Sequence, residues 1–315
     1  MSFSSQLKLE LCNLNQNDRH CDLAELSGML NACGVVFEKG QMNFICINTE
    51  SVVVAKRFYS LIKKNFSINC QVAIRNSKQF KKNRVYVVTV SENLSSQKLL
   101  KALGLLVCEN GKSSFQKKID SLIVKSDCCK RSYIRGAFIS SGSLSNPEKT
   151  YHLEFVNSNY HLSKQLSDLI NCFGLNSKII ERKNNYVVYL KESENIVDLL
   201  NVMGAYSSLM KLENVRILKD MRNNVNRIVN CETANINKTV DAAVKQIEDI
   251  KFIIHHRGLQ FLPVNLRQVA LFRLENPDAT LKEIGAMLTP SVGKSGVNHR
   301  LRKINQIAEN LRGGI

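Results

Sequence analysis

Acidic residues are scarce in this chain. Over 315 residues, 27 Asp and Glu stand against 44 Lys and Arg, a formal net charge of +17. A field of that sign draws polyanions, and the usual polyanion is nucleic acid. Patterned cysteine is missing too. Ten cysteines occur, but none lies in a C-x-x-C pair, the one close pair is the adjacent Cys128-Cys129, and no histidine cluster completes a tetrahedral zinc site. No metal and no cofactor are therefore expected, and thiols scattered through apolar runs suit a reducing compartment. Long hydrophobic runs are absent: no stretch approaches the length that spans a bilayer. The opening MSFSSQLKLELC lacks a charged segment followed by a long apolar one, so it does not read as a secretion signal. The expectation is a cytoplasmic, nucleoid-associated protein with no membrane partner, of two or three domains with ordinary cores.

What is present is a repeat. Residues 26–62 match residues 134–170 at a constant offset: Gly28 answers to Gly136, Gly34 to Gly142, Lys56 to Lys164, Leu61 to Leu169 and Ile62 to Ile170. After a short length change Tyr86-Val87-Val88 answers to Tyr186-Val187-Val188, and Leu99-Leu100 with Gly104 answer to Leu199-Leu200 with Gly204. Each copy reads as helix, two strands, helix, two strands, helix. In the first, Leu23, Leu26 and Leu30 have helical spacing that Gly34 ends, 43–48 is a strand, and Val54, Phe58, Leu61 and Ile62 stripe a helix over 51–64. Strands over 71–75 and 84–90 flank a basic turn at 76–83, and 94–105 closes the unit. In the second, 134–141 is helical, 152–156 a strand and 162–173 a helix. Strands over 178–181 and 186–190 turn around Lys183-Asn184-Asn185, and 196–203 closes. Two such units in one chain predict a pseudo-two-fold saddle or clamp, suited to a two-fold object such as duplex DNA.

The first helix of the two copies carries LSGMLNACG (26–34) and IRGAFISSG (134–142). Both resemble the LAGLIDADG signature of homing endonucleases. The resemblance implies that these helices pack together at the pseudo-two-fold axis, with glycines permitting close approach. Gly28, Gly34, Gly136 and Gly142 are thus expected to build the interface between the halves. It also implies an acid at each helix end to hold a divalent metal for phosphodiester cleavage. The chain departs from the family there, with Cys33 and Ser141 at those positions and Asn31 and Ile139 at the earlier acidic one. A thiol and a hydroxyl do not supply the hard oxygens that Mg²⁺ needs. Asp120, Asp127 and Glu154 are other acids, but nothing pairs them symmetrically. The scaffold is expected to persist without catalytic residues or nuclease chemistry.

Near the C-terminus, 264–275 is an amphipathic helix ended by Asn276-Pro277-Asp278. Thr280 and Glu283 form a capping box for a second helix with Leu281, Ile284 and Leu288 on its apolar stripe. Pro290 and Gly293 make a turn, and a last helix starts at Lys294 or Ser295. Its apolar face is Val297, Leu301, Ile304, Ala308 and Leu311. At 100° per residue the opposite face holds Ser295, His299, Arg302 and Lys303, flanked by Asn298 and Arg300. From 294 to 303 there are four Lys/Arg, one His and no acid. That is the chemistry of a major-groove recognition helix: Arg and Lys meet guanine or phosphate, Asn meets adenine, and the helix N-terminus receives a phosphate. Arg267, Thr280 and Lys282 are further candidate contacts.

MSFSSQLKLEL, 128–154, 221–243 and 262–311 closely resemble the sporulation regulator WhiA family of Gram-positive bacteria, over essentially the whole chain. The resemblance implies a degenerate LAGLIDADG domain joined to a C-terminal helix-turn-helix, in a DNA-binding regulator of sporulation, cell division and chromosome segregation that is not an enzyme. The expected fold is α+β: a duplicated pseudo-two-fold domain of two αββαββα units, then an all-α helix-turn-helix domain. The expected boundaries are 1–107 for an N-terminal helix and the first repeat, 108–127 for a linker, 128–215 for the second repeat, 216–232 for a connector and 233–315 for the helix-turn-helix domain. Residues 206–257 are polar and helical in pattern, a connecting helix or the first helix of the last domain, with Val240, Val244, Ile247, Ile250 and Ile254 on one stripe; Thr233 reads as an N-cap, and Lys219 and Arg222 stand either on a solvated linker helix or against DNA. Expected partners are double-stranded DNA and other regulators or RNA polymerase, with the chain a monomer or weak oligomer. Two alternatives stay open: a divergent metal-dependent endonuclease, and an RNA-binding protein, although no aromatic stacking face for RNA is visible.

Overall fold

In the computed structural model, residues 1–15, 18–39, 42–76, 84–91, 93–109 and 112–314 are described. The chain divides into two compact units, Met1–Lys219 and Asp220–Ile315.

The first unit opens with α1 (Phe3–Cys12), whose N-cap Ser2 accepts a hydrogen bond from the Ser5 amide. The first repeat follows as α2 (Arg19–Cys33), β1 (Gly34–Lys39), β2 (Met42–Thr49), α3 (Val52–Phe66), β3 (Gln71–Asn76), β4 (Arg84–Val90) and α4 (Asn93–Ala102). A two-stranded ribbon, β5 (Leu106–Glu109) with β6 (Lys112–Phe115), precedes the second repeat. That repeat is α5 (Asp127–Ser141), β7 (Gly142–Leu144), β8 (Leu153–Asn157), α6 (Tyr160–Asn171), β9 (Lys178–Arg182), β10 (Asn185–Leu190) and α7 (Ser193–Met203). The duplication is thus a helix–strand–strand–helix–strand–strand–helix unit used twice.

The two sheets have the same strand order, β1-β2-β4-β3 and β7-β8-β10-β9. Their registers are the same too. Val88 faces Ile47 and Tyr86 faces Thr49, while Val188 faces Phe155 and Tyr186 faces Asn157. A slip of one residue would turn every inward side chain outward, so the shared register keeps both sets of apolar residues on one face. Gly104 and Gly204 cap the closing helices at φ +68° and +83°, a left-handed conformation that favours glycine. Each is followed by an amide bonding back five residues, Leu105 to Leu100 and Ala205 to Leu200, both at 2.9 Å. Lys183 and Asn184 take positive φ values of 49° and 60° in the β9–β10 turn, the conformation of a two-residue hairpin turn that fits the strand twist.

α2 and α5 pack against each other at the centre of this unit. An added Cβ at Gly28 would stand 2.3 Å from the Tyr133 carbonyl oxygen, and one at Gly136 would stand 2.0 Å from that of Glu25. The contacts are reciprocal, because Glu25 and Tyr133 are equivalent positions 108 residues apart, as are Gly28 and Gly136. Gly34 and Gly142 do something else. The nearest atoms to their Cβ positions belong to Leu30 and Phe138 of their own helices, so they turn the chain from helix into strand. This corrects the expectation that all four glycines line the interface. Both central helices are buried nearly all round, and Glu25 is fully buried among cations: Arg57 meets it with two bonds, at 2.7 and 3.0 Å. Arg135 of the other repeat approaches Glu25 at 3.4 Å and donates to the Met203 carbonyl at 2.8 Å. An isolated buried carboxylate would be prohibitively costly, so this triad ties α2, α3 and α5 together.

The second unit holds the later part of α8 (Tyr206–Arg257), a 52-residue helix. A 3₁₀ turn at Leu259–Phe261 leads into α9 (Val264–Glu275), α10 (Leu281–Met287) and α11 (Lys294–Gly313). Several expectations are corrected here and in the first unit. The span 108–127 contains most of the β5–β6 ribbon. α8 spans the 206–257 that read as helical, and Thr233 lies inside it rather than capping a new helix. Of the predicted stripe, Ile250 is buried, Ile247 and Ile254 are half-buried, and Val240 and Val244 are exposed. α4 ends at Ala102 because Gly104 stops it. The basic turn at 76–83 lies almost wholly outside the described residues.

Candidate nucleic-acid interface

The second unit's core explains how α11 is presented. Val297, Leu301, Ile304 and Ala308 are buried on Ile250 and Ile253 of α8, Leu266, Val269 and Ala270 of α9, and Ile284 of α10. Leu311 is half-buried against the same core. Asp249, on α8 and almost fully buried, accepts from Asn305 Nδ2 at 2.6 Å and Arg312 at 2.7 Å. Arg312 also lies over the Phe252 ring, 4.7 Å from its centroid. The C-terminal half of α11 is thereby fixed, and its N-terminal half projects its polar face outward.

α10 starts as its sequence dictates. The Thr280 hydroxyl accepts from the Glu283 amide at 3.3 Å, and the Glu283 carboxylate accepts from the Thr280 amide at 2.7 Å. That bond to the Thr280 amide holds the Glu283 carboxyl below its ordinary range. The turn between α10 and α11 folds back over Gly285. The Val292 amide donates to the Gly285 carbonyl at 2.9 Å, and a Cβ at Gly285 would lie 2.0 Å from the Val292 carbonyl oxygen. Glycine is thus what lets this turn close on its helix.

On this frame Lys294, Ser295, His299, Arg302 and Lys303 are exposed, and Asn298 and Arg300 are half-buried beside them. One Arg300 nitrogen sits 3.5 Å from the Asn265 carbonyl oxygen, which steadies a cation at the edge of the face. Lys282 is exposed on α10, and Thr280 is exposed at its cap. Arg267 is half-buried and does not join this set. Its guanidinium donates to the carbonyls of Gln260 and Leu262 at 3.1 and 3.2 Å, pinning the approach to α9. Arg273 does the same for the turn after α9, donating to the Pro277 and Ala279 carbonyls at 3.3 and 2.7 Å. Arg273 is buried, and burial lowers its pKa from the ordinary arginine value. Its position in sequence, amid an amphipathic helix, carried no sign of that role.

In the first unit the helix-end positions are chemically quiet. The Cys33 thiol donates to the Met29 carbonyl at 3.4 Å and the Ser141 hydroxyl to the Ala137 carbonyl at 3.1 Å. Each is turned back on its own helix one turn earlier. Burial pushes the Cys33 thiol pKa up, and Lys117 and Lys8 are its nearby cations. Asn31, at the earlier acidic position, is buried and donates to the Lys118 carbonyl and the Tyr133 hydroxyl, both at 2.9 Å.

A last group of side chains follows no metal-ligand spacing along the sequence. At the other ends of α2 and α5, His20 and Cys21 meet Cys128 and Cys129, with all four potential ligand atoms within 4.8 Å of one another. This corrects the reading that no cysteine–histidine set assembles. The signal is visible only once the repeat offset is applied, since His20-Cys21 and Cys128-Cys129 are equivalent dipeptides.

Comparison with known proteins agrees with this architecture. Residues 19–106 match the WhiA N-terminal LAGLIDADG-like domain, 130–222 the WhiA LAGLIDADG-like domain and 225–308 the WhiA C-terminal HTH domain. The chain is 51% identical over 313 residues to the "Probable cell division protein WhiA" of Clostridium acetobutylicum, covering 99% of each. It is 50% identical over 316 residues to the protein of that name from Clostridium botulinum, covering 100% of each. The crystal structure of full-length DUF199/WhiA from Thermatoga maritima superposes with a TM-score of 0.62 at 26% identity, covering 98% of this chain and 99% of that one. With family matches across both repeats and the helix-turn-helix, and half the residues identical to those relatives from end to end, the chain belongs to the WhiA family.

Proposed function

We propose that this protein is a sequence-specific, double-stranded-DNA-binding transcriptional regulator acting in cell division and, in the family's role, in sporulation and chromosome segregation. The observation that carries the reading is the exposed face of α11. Lys294, Ser295, His299, Arg302 and Lys303 lie open on a helix whose other side is pinned by Asp249, with Asn298 and Arg300 at its margin. Lys282 adds charge from α10. Arg302 and Lys303 are the bases or phosphates' partners, Asn298 suits adenine, and the Lys294–Ser295 end suits a phosphate. The action takes place in the cytoplasm, at the nucleoid. Among the described residues no helix is long and apolar enough to cross a membrane.

The repeat unit then serves as a scaffold without nuclease chemistry, offering a further surface to DNA, another regulator or RNA polymerase. Two helix-end groups that would have to be carboxylates are a thiol and a hydroxyl bonded to their own helices. Lys8 and Lys117 place positive charge beside Cys33, where a Mg²⁺ ion would need negative charge. Asp127 pairs with Lys130, Glu154 accepts from Ser143 and His152, and Asp120 accepts from the Leu122 amide. Each of these acids is occupied locally.

The test is binding of the full chain to genomic DNA fragments across a salt series, with Arg302→Ala/Lys303→Ala in parallel. Each lost phosphate contact should lower the slope of log affinity against log salt by about 0.9. The reading expects the double variant to lose specific binding and up to about 2 in that slope. Unchanged binding by the variant would refute α11 as the reader and transfer the DNA surface to the repeats. Mg²⁺-dependent cutting of plasmid would refute the scaffold reading, and preference for RNA would refute duplex DNA as the partner.

A further inference from the structure

We propose that His20, Cys21, Cys128 and Cys129 form a structural zinc site that clamps the N-terminal ends of the two central helices. The four come in equivalent pairs. His20 and Cys128 are each eight residues before the crossing glycines, Gly28 and Gly136, and Cys21 and Cys129 are each seven before them. Packing α2 on α5 at those glycines brings the two dipeptides face to face across the pseudo-two-fold axis. His20 Nδ1 lies 3.2 Å from Cys129 Sγ and 3.4 Å from Cys21 Sγ. Around a tetrahedral zinc with Zn–S near 2.3 Å and Zn–N near 2.0 Å, ligand atoms stand roughly 3.5–3.8 Å apart. The set, all within 4.8 Å, therefore needs about 1 Å of adjustment by rotamer changes.

The surroundings suit the ion. Cys21 and Cys129 are buried, while His20 and Cys128 are exposed, so two ligands wait inside and two close from the surface. Both dipeptides occupy the second and third positions of their helices, after the caps Asp18 and Ser126. There the free amides and positive helix ends suit a centre of net negative charge. The Ser126 hydroxyl is 3.1 Å from Cys128 Sγ. On binding, three thiols release three protons and the imidazole stays neutral, so Zn²⁺ with three thiolates carries one net negative charge, placed at two positive helix ends. Three soft sulfurs and an imidazole select zinc over Mg²⁺ or Ca²⁺. The site is distinct from the lost nuclease centre, which lies at the opposite ends of the same helices, about 20 Å away at 1.5 Å per residue.

The experiment is metal analysis of the untagged full chain purified under reducing conditions, followed by Co²⁺ exchange. The proposal expects about one zinc per chain, by the one-ion stoichiometry of a Cys₃His set. It expects a thiolate-to-cobalt charge-transfer band with intense tetrahedral d–d bands. Cys128→Ser, at an exposed position, should lose the metal with the fold intact by circular dichroism. His20→Cys should retain it with a four-sulfur cobalt spectrum, and Cys231→Ser should behave as the parent. Metal-free parent protein after zinc addition would overturn the site, as would a disulfide among Cys21, Cys128 and Cys129 in the reduced preparation. A metal that persists in Cys128→Ser with an unaltered cobalt spectrum would overturn it as well.

Discussion

Replacing Gly136 with alanine should destabilise the repeat unit, although alanine is the better helix former. The new Cβ would stand 2.0 Å from the Glu25 carbonyl oxygen, whereas ordinary contact begins at 3.4 Å. The overlap is therefore about 1.4 Å. The obstructing atom is main chain, held in a helix, so no rotamer change removes it. Relief requires α2 and α5 to separate at their crossing, which pulls Tyr133, Ile134 and Leu26 away from close contact and stretches the Glu25–Arg135 approach of 3.4 Å. Overpacking against main chain that cannot turn aside falls at the upper end of its range, about 3 kcal/mol or more, and the gain in helix propensity returns about 1 kcal/mol. A net loss of about 2 kcal/mol or more follows, roughly a thirtyfold fall in the folding constant. Gly28→Ala, with its Cβ 2.3 Å from the Tyr133 carbonyl oxygen, should lose somewhat less. The double variant should lose less than the sum, because helices separated once need not separate again. Urea unfolding followed by far-UV circular dichroism, with hydrogen exchange of the α2 and α5 amides assigning the transition, measures this. Gly313→Ala is the control, since nothing lies within 4 Å of its Cβ position. If Gly136→Ala matched that control, the argument that glycine is required at the crossing would be wrong.

Glu25→Gln should cost about 3–5 kcal/mol in the same unfolding assay, because it leaves Arg57 and Arg135 facing each other without their buried counter-charge; a loss under 1 kcal/mol would count against the triad as a fastening. Arg273→Met should destabilise the second unit by about 2 kcal/mol, since two carbonyls lose their charged donor, and Gly285→Ala should do likewise through the Val292 carbonyl; differential scanning calorimetry resolves that unit's transition. The Glu283 carboxyl is held below its ordinary range by the Thr280 amide, so its contribution is present above the unfolded carboxylate value near about pH 4.3 and is lost as pH falls through the lower folded value. Melting curves of Glu283→Gln should consequently show a smaller acid-induced drop than the parent, and an equal drop would refute that cap's role.

The duplication was legible because the same core had to be built twice. Val87-Val88 and Val187-Val188 sit at matched registers, and Leu99-Leu100 and Leu199-Leu200 end matched helices against the core. The first strand of each repeat has no signal of its own. Gly34 and Gly142 signal a helix stop, and they also begin β1 and β7 directly, with no turn residues between to announce a strand. The ribbon β5–β6 is not legible in the sequence because its strands are four residues long and Lys112–Phe115 has no alternation. The polar helical pattern over 206–257 coincides with α8, but few side chains are buried over 213–249, so no continuous stripe excludes a fresh start such as a cap at Thr233. The polar face of α11 could be read from spacing alone, because one helix buries one stripe and the remainder must face outward. The work of Arg267 and Arg273 could not, since both answer carbonyls brought near by turns rather than by sequence spacing.

Sterics and chemistry have different holds on the paired helices. At the crossing, Gly28 and Gly136 each oppose a main-chain oxygen, so any side chain there forces the helices apart whatever its chemistry. At the helix ends, Cys33 and Ser141 merely return a hydrogen bond to their own helix, a role that many small polar residues fill. The crossing is therefore constrained by the fold itself, while the helix ends are constrained only for as long as a metal must be held. Lys8 and Lys117 act on Cys33 from nearby without disturbing the paired core, and positive charge at that helix end opposes a Mg²⁺ ion.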